Sequence, residues 1–411
     1  MALRAAWSVF WTTRTAVLVV AIFAALSFGP ATGGLAERNA SKFDEPALTG
    51  ALAEPLLSPL ARWDAVWYLR IAESGYAGSD ARAAFFPLYP LLVRAVAAPF
   101  GASPGALLMA GYVVALLAFL GALVLLHRLV SLELGRPLAQ PTLLLLAVFP
   151  AAVFFGAPYS ESLFLLLAVG AFYAARTDRW AWAGVAAAGA AATRSAGVLL
   201  LVPLAMLWWS GRDGAAGATA WPGGRRARDA AWLLLAPLGV AGYVAFLGLA
   251  EGDPWRFLDV QDAWSRELTV PLLGAWDGLG AAIDGARQLL SGQREVVYFE
   301  QAAGDPYRIA AINLMLFGSL VFALVACVGC LRRLPKAYGA WVAVSLVLPL
   351  TFPVKPQPLM SLPRFLAVLF PIFMWLAVWS EERRATAGVV AVSALGLGLF
   401  TAQFASWHWI S

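Results

Sequence analysis

Charged residues are scarce in this chain. They make up 13% of its 411 residues, whereas 61% of the residues are hydrophobic. Soluble domains carry about a quarter charged residues, so this shortage excludes an ordinary soluble fold. Apolar runs of about 20 residues recur along most of the sequence, and a helix of that length crosses a bilayer. The composition therefore predicts an all-α polytopic membrane protein that forms one integral membrane domain over residues 1–411.

The chain also has few groups that bind metals or form disulfides. Its two cysteines, Cys327 and Cys330, lie inside an apolar segment, and its two histidines, His127 and His408, lie far apart. Neither arrangement matches a zinc, haem or redox motif. We therefore expect no metal and no cofactor.

Sequence motifs that hold nucleotides are missing as well. There is no Walker motif, no glycine-rich loop of the kind that cradles phosphates, and no DxD pair of the kind that holds a metal–nucleotide sugar. The net charge of +5 comes from charges that alternate between loops, so it does not indicate nucleic acid as a partner. If the chain acts on an activated sugar, a lipid phosphate fits as the leaving group.

The apolar segments predict about 11 membrane spans. We place them at residues 12–30, 106–128, 140–157, 162–176, 180–193, 196–210, 230–250, 307–330, 338–352, 363–380 and 386–407. Residues 180–210 can also be interpreted as one broken span. Within the first span, the apolar run from Thr15 to about Phe28 follows Arg4 and Arg14 and has the features of a retained signal anchor.

The distribution of charge predicts the orientation. With a cytoplasmic N-terminus, the cytoplasmic side carries 15 Lys and Arg against six acids, and the outer side carries 14 against 18. Short cytoplasmic loops are expected to be basic. An odd number of spans then places the C-terminus outside.

Two outer loops are long, at residues 31–105 and 251–306, and loops of that length usually carry function. In the first loop we predict two interfacial helices, at residues 66–74 and 90–100. Asp64 is the predicted cap of the first of them.

The first loop holds a carboxylate among aromatic residues, at Trp63-Asp64 and Trp67-Tyr68. One interpretation is an aromatic belt beside a helix cap. The other is a general base, Asp64, that removes a proton from a hydroxyl while aromatic rings hold a sugar. Further along, Phe86 and Tyr89 lie among prolines that we expect to forbid a regular helix. They form either an interfacial turn or a wall of the substrate groove.

Three other outer segments place charge at the membrane edge. Glu161 follows Tyr159 in a turn, where it either caps a helix or contacts a sugar. Arg194 interrupts a long apolar stretch, and Lys355 and Arg364 flank a proline-rich turn. These cations either anchor the chain at the interface or bind the phosphate of a lipid, which a guanidinium matches bidentately.

Taken together, these segments resemble the PIG-V-type mannosyltransferases, which add the second mannose of the glycosylphosphatidylinositol core in eukaryotes and have bacterial relatives. The resemblance rests on Trp63-Asp64, Trp67-Tyr68, Gly75-Tyr76, Phe86-Pro87-Leu88-Tyr89-Pro90, Tyr159-Ser160-Glu161-Ser162, Thr193-Arg194-Ser195-Ala196-Gly197 and Ser361-Leu362-Pro363-Arg364-Phe365. It implies a GT-C-type fold, a polyprenyl-phosphate sugar as donor and inversion of the anomeric centre. The Ala- and Arg-rich composition is typical of a high-GC bacterium, so we expect a bacterial member in the plasma membrane.

The predicted activity is therefore mannosyl transfer from a polyprenyl-phosphate sugar to a lipid or glycan acceptor on the extracytoplasmic side. Asp64 is the predicted catalytic base, and Arg194, Arg364 and Lys355 are the predicted phosphate contacts. The predicted substrate-binding residues are Trp63, Trp67, Tyr68, Phe86, Tyr89, Tyr159 and Glu161. Two alternatives stay open: a flippase for a lipid-linked sugar, and a GT-C enzyme that uses another sugar such as arabinofuranose.

Overall fold

The computed structural model describes residues 1–28, 56–77, 80–210, 224–261, 266, 268–298, 305–354 and 357–410. Within these ranges the chain is helical, and its one extended pairing is an isolated antiparallel bridge between Arg266 and Val354. The α-helices, in chain order, are α1 Ala2–Phe28, α2 Asp64–Ser74, α3 Leu88–Ala97, α4 Pro104–Glu133, α5 Ala139–Ala147, α6 Glu161–Arg176, α7 Trp180–Thr193, α8 Leu201–Ser210, α9 Gly224–Leu233, α10 Ala236–Ala250, α11 Arg256–Asp259, α12 Pro271–Ser291, α13 Pro306–Arg333, α14 Lys336–Thr351, α15 Leu362–Ala367, α16 Phe370–Glu382 and α17 Thr386–Ala405.

Five helical stretches in the described residues are long and apolar enough to cross a membrane. They are α1, α4, the stretch Ala227–Ala250 that joins α9 to α10, α13 and α17. Each coincides with a predicted span, so the prediction of an all-α, multi-pass membrane protein is confirmed. The other predicted spans are shorter helices, and the number of crossings stays a prediction.

Three of the shorter predicted spans are interrupted. Span 140–157 divides into α5 and a 3₁₀ turn, Pro150–Phe155, and span 363–380 divides into α15 and α16. Span 196–210 begins with another 3₁₀ turn, Ser195–Leu200. Proline lacks a backbone N–H and collides with the preceding turn of a helix, so Pro150 ends α5 in the middle of an apolar run. These breaks matter because they position the side chains of the candidate site.

Helix α12 lies inside the segment that the sequence predicted only as a long loop. Its 21 residues pack against α13 and α14. A Cβ atom at Gly274 would lie 2.0 Å from the backbone oxygen of Leu350, so only glycine allows the two backbones this close. The second long loop therefore contains a helix that is part of the bundle.

Two ion pairs lie at the end of the bundle where α6 ends, away from Glu161. Arg176 pairs with Glu133, and Arg333 Nη1 lies 3.0 Å from Glu382 Oε1. These residues belong to loops that the charge distribution places in the cytoplasm. Helix α6 begins at Glu161 and ends at Arg176, so about 24 Å of helix separate Glu161 from this end.

Candidate active site

A cavity of about 290 Å³ lies at the end of the bundle where α6 begins. Five residues singled out from the sequence line it: Asp64, Tyr68, Phe86, Arg194 and Arg364. They come from the first loop, from the break after α7 and from α15. The fold therefore brings together charged and aromatic residues that are far apart in the sequence.

Two carboxylates and two guanidinium groups form a buried network beside this cavity. Arg364 Nη1 lies 2.5 Å from Asp64 Oδ2, and Arg364 Nε lies 2.9 Å from Glu161 Oε1. Arg194 Nη1 donates to the same Glu161 oxygen at 2.6 Å. The Glu161 side chain is fully buried, and an ionised group there is costly unless it is paired. The four charges sum to zero.

The pairing of Asp64 corrects one prediction. Asp64 was expected to cap the helix that follows it, but α2 begins at Asp64 itself, and Trp63 is the N-cap without a side-chain hydrogen bond. The carboxylate of Asp64 points to Arg364 instead. An ion pair with a buried guanidinium is stronger than a cap to a backbone N–H, so the carboxylate is drawn toward the cavity.

Strained backbone precedes both members of this pair. Trp63 has φ of 57° and Ser361 has φ of 69°, values that residues with a side chain rarely adopt. Trp63 is held by edge-on contacts with Trp407 and Trp409, at centroid distances of 5.8 and 5.0 Å. Strain of this kind persists only where the surrounding packing enforces it, and it is frequent at functional sites.

Tyr159 fixes the backbone beside Asp64. Its hydroxyl donates to the carbonyl oxygen of Arg62 at 2.8 Å and accepts from the backbone N–H of Asp64 at 3.0 Å. Tyr159 is fully buried and is not among the described residues that line the cavity. The contacts of Tyr159 therefore position Asp64.

Tyr68 presents a neutral phenol to the cavity. Its hydroxyl is 2.8 Å from the hydroxyl of Ser160. Burial, and then the negative charge of Glu161, raise the pKa of Tyr68 to about 12. The phenol consequently stays protonated at neutral pH and is available as a hydrogen-bond donor.

The other predicted aromatic residues lie at different depths. Phe86 lines the cavity and packs on Phe257, whereas Trp67 stacks on Phe85 with ring centroids 6.0 Å apart. Tyr89 is buried and donates to the carbonyl oxygen of Gly111. Trp63, Trp67 and Tyr89 are not among the described cavity-lining residues, so any part they play in substrate binding would be indirect in this conformation.

Helix α3 corrects the prediction about its prolines. Pro87 is its N-cap and Pro90 lies in its first turn, so α3 is regular from Leu88 onward, and a 3₁₀ turn, Ala98–Phe100, extends it. The first N–H groups of a helix have no partner inside the helix, and proline is tolerated there. No regular helix runs through residues 85–87, but the prediction is wrong for residues 88–90, where α3 begins. The helix predicted at 90–100 is present and starts two residues earlier.

The chain folds back at Arg194. Helix α7 ends at Thr193, Arg194 is extended, and a Cβ atom at Gly197 would lie 2.2 Å from the carbonyl carbon of Ala190. The lack of a side chain at Gly197 lets the next turn lie against the end of α7. This bend separates residues 180–210 into distinct helical pieces and directs Arg194 toward Glu161.

Gln261 and Arg266 are among the cavity residues that were not predicted from the sequence. They come from the second long loop, whose length indicated a function, but no motif singled out either position. Lys355, predicted as a phosphate contact, lies outside the described residues. Within the described ranges no group of three or more His, Cys, Asp and Glu residues could hold a metal ion.

The sequence comparisons show similarity to a family of mannosyltransferases. The family model "Mannosyltransferase (PIG-V)" matches residues 8–207, just under half of the chain. This match supports the resemblance to the PIG-V-type mannosyltransferases that the motifs predicted. It is similar to GPI alpha-1,6-mannosyltransferase 2 of Cricetulus griseus, with 37% identity over 176 residues that cover 40% of this chain and 35% of the relative.

The same protein of Mus musculus is 35% identical over 178 residues, covering 40% of this chain and 36% of the relative. The match thus spans about a third of the length of these curated relatives.

The structure is also similar, at low TM-scores, to solved structures of two other proteins. The apo oligosaccharyltransferase of Archaeoglobus fulgidus has a TM-score of 0.47 at 13% identity, covering 98% of this chain and 56% of that one. ArnT from Cupriavidus metallidurans bound to undecaprenyl phosphate has a TM-score of 0.39 at 16% identity, covering 82% and 71%. At these TM-scores neither similarity says anything about the site of this chain.

Proposed function

We propose that this chain is a membrane glycosyltransferase that moves a mannosyl residue from a polyprenyl-phosphate sugar to a lipid or glycan acceptor. The reaction takes place on the extracytoplasmic side of the plasma membrane and inverts the anomeric centre. One observation carries this proposal: a carboxylate on strained backbone, Asp64, lines a cavity whose wall also carries Arg364 and Arg194. The relatives named as mannosyltransferases support mannose as the sugar.

Asp64 acts as the general base in this proposal. Its carboxylate takes the proton of the acceptor hydroxyl as that oxygen forms a bond to the anomeric carbon. The bond between the anomeric carbon and the phosphate oxygen breaks, and its electron pair leaves with the lipid phosphate. Arg364 holds the carboxylate in place through its contact with Asp64 Oδ2, which limits the orientations of the base.

The positive charges of Arg364 and Arg194 favour the departure of the phosphate. Arg364 and Arg194 are fixed by Glu161 before substrate arrives, so no reorganisation is needed as charge develops on the phosphate. Fixed charges and dipoles of this kind lower the barrier most effectively where water is excluded.

The size and lining of the cavity suit a monosaccharide headgroup. Its volume of about 290 Å³ is at the lower end of ordinary ligand pockets. Tyr68 contributes a protonated hydroxyl and Phe86 an apolar face. A sugar presents both hydroxyls and apolar C–H faces, whereas the lipid chain of the donor would remain outside in the bilayer.

Charge asymmetry supports the outer location. Asp64 and Glu161 lie at one end of α6, and the loops that carry most of the excess Lys and Arg lie at its other end. The positive-inside rule places those basic loops in the cytoplasm. The cavity then opens on the opposite side, where a polyprenyl-phosphate sugar is the activated donor in this proposal.

Transfer assays with a matched pair of variants test the proposal. The full-length protein in lipid nanodiscs is given radiolabelled polyprenyl-phosphate mannose and a lipid extract as acceptor. We expect a labelled product from the wild type and a loss of about 100-fold or more in Asp64→Asn, the usual scale for a lost general base. Asp284→Asn, which removes a partly exposed carboxylate on α12, is the control and should retain full activity.

Two results would contradict the proposal. Wild-type rates in Asp64→Asn would end the assignment of the base. Movement of the labelled lipid between leaflets without any new product would favour a flippase.

A further inference from the structure

Among the described residues that line the cavity, the charge balance leaves Arg266 available for an anionic ligand. Arg194 and Arg364 already donate to carboxylates, and together with Asp64 and Glu161 they carry no net charge. A phosphate that bound directly to either arginine would compete with an acid at 2.5 to 2.6 Å. Each of these arginines therefore already pairs with a carboxylate, which favours another cation of the cavity as the direct ligand for phosphate.

Arg266 faces the same cavity from the second long loop. Its Nη1 lies 3.4 Å from the side-chain oxygen of Gln261, a long hydrogen bond to a neutral acceptor. No carboxylate in the described part of the chain forms a salt bridge with Arg266. A guanidinium has five N–H donors in a planar fork, so most of the fork remains for a ligand.

The backbone of Arg266 is held in place although it lies in a loop. Its N–H donates to the carbonyl oxygen of Gln261 at 3.2 Å, and the residue pairs with Val354 in an isolated β-bridge. Thr269 N–H donates to the carbonyl oxygen of Thr351 at 2.8 Å, which ties the same loop to the end of α14. These bonds pre-position the guanidinium at the cavity wall.

The electrostatic surroundings of Arg266 favour an incoming anion. Its pKa is lowered to about 10, first by burial and then by the positive charge of Arg364, while Asp64 opposes the shift. Arg266 remains protonated at neutral pH, but its positive charge lies near other cations and is partly removed from water. An anion that bound there would relieve this repulsion.

We propose that Arg266 binds the phosphate of the lipid-linked donor, with Gln261 orienting its guanidinium. This inference rests on the proposed function and changes the roles of the arginines in it. Arg266 contacts the phosphate, Arg364 holds the base Asp64, and Arg194 contributes positive charge through its pairing with Glu161. A bidentate guanidinium–phosphate pair also sets the direction from which the sugar enters the cavity.

Lipid binding to the full chain tests this assignment without any need for turnover. Undecaprenyl phosphate and undecaprenol, which is the same lipid without its phosphate, are titrated onto the detergent-solubilised protein and counted by native mass spectrometry. We expect the wild type to prefer the phosphate lipid. Arg266→Gln should weaken phosphate-lipid binding by about 10- to 100-fold, the range for a lost charge-assisted hydrogen bond, and leave undecaprenol binding unchanged.

Two further variants make the result specific. Arg266→Lys should recover part of the preference, because the charge remains while the planar fork is lost. Arg287→Gln removes an exposed charge on α12 and should bind as the wild type does. A phosphate preference that survives in Arg266→Gln would overturn the assignment of Arg266 alone. A wild type without any phosphate preference would overturn both this assignment and the proposed donor class.

Discussion

Neutralising Arg364 is expected to damage the fold as well as the chemistry. In Arg364→Gln, Asp64 loses its guanidinium partner, although the side chain of Asp64 is only 11% exposed. The fully buried Glu161 also loses one of its two described partners and retains Arg194. Removing one partner of a buried ion pair costs about 3 to 5 kcal/mol because the remaining charge is left uncompensated. Folded proteins are stable by only about 5 to 15 kcal/mol, so this loss is large.

The measurement is the midpoint of thermal unfolding in lipid nanodiscs, followed by intrinsic tryptophan fluorescence. Arg333→Gln is the matched control, since it breaks an ion pair whose side chains are 54% and 43% exposed and should cost at most about 1 kcal/mol. The double variant Asp64→Asn with Arg364→Gln should be more stable than Arg364→Gln alone, because it removes the unpaired carboxylate.

Two outcomes would refute this reasoning. If Arg364→Gln unfolded at the same temperature as Arg333→Gln, the network would not stabilise the protein, and Arg364 would be reserved for ligand. If the double variant were no more stable than Arg364→Gln, the cost would not arise from the carboxylate of Asp64.

Two other predictions concern the bend after α7 and the C-terminal segment. Gly197→Ala places a Cβ against the backbone of Ala190 and should lower the free energy of unfolding by about 1 to 3 kcal/mol. It should also reduce transfer, because it displaces Arg194. Gly318→Ala, at a position with open space around it, should change neither stability nor transfer. The pKa of His408 is lowered by burial and by Arg308, so the neutral ring stabilises the fold above pH 6.5, and that contribution is lost as pH falls through the lowered value. His408→Gln should therefore show a smaller drop in unfolding midpoint between about pH 8 and pH 5 than the wild type; an equal drop would assign the pH dependence to other groups.

The proximity of the main site residues follows from principles that can be applied to a sequence. Asp64, Glu161, Arg194 and Arg364 are ionisable residues at membrane boundaries, and such residues need partners. The charge distribution placed all four on one side of the membrane, which is why they were expected near one cavity. What the sequence did not predict is that the arginines pair with the carboxylates themselves.

The missed features depend on contacts between distant segments. Helix α12 lies in a segment that was predicted only as a long outer loop, and its place in the bundle depends on Gly274, which allows close packing against α14. Arg266 carries no local motif, and its position depends on a bridge to Val354. The breaks at Pro150 and before Phe370 interrupt apolar runs, and hydropathy alone does not reveal them.

The pairing of Asp64 with a residue far along the chain also constrains biogenesis. Asp64 leaves the ribosome 300 residues before Arg364. At about 5 to 20 residues per second, the nascent chain waits roughly 15 to 60 s for that arginine. Throughout this interval the acid has no guanidinium partner to neutralise it. The cavity that Asp64 lines is thus among the last parts of the molecule to form during translation.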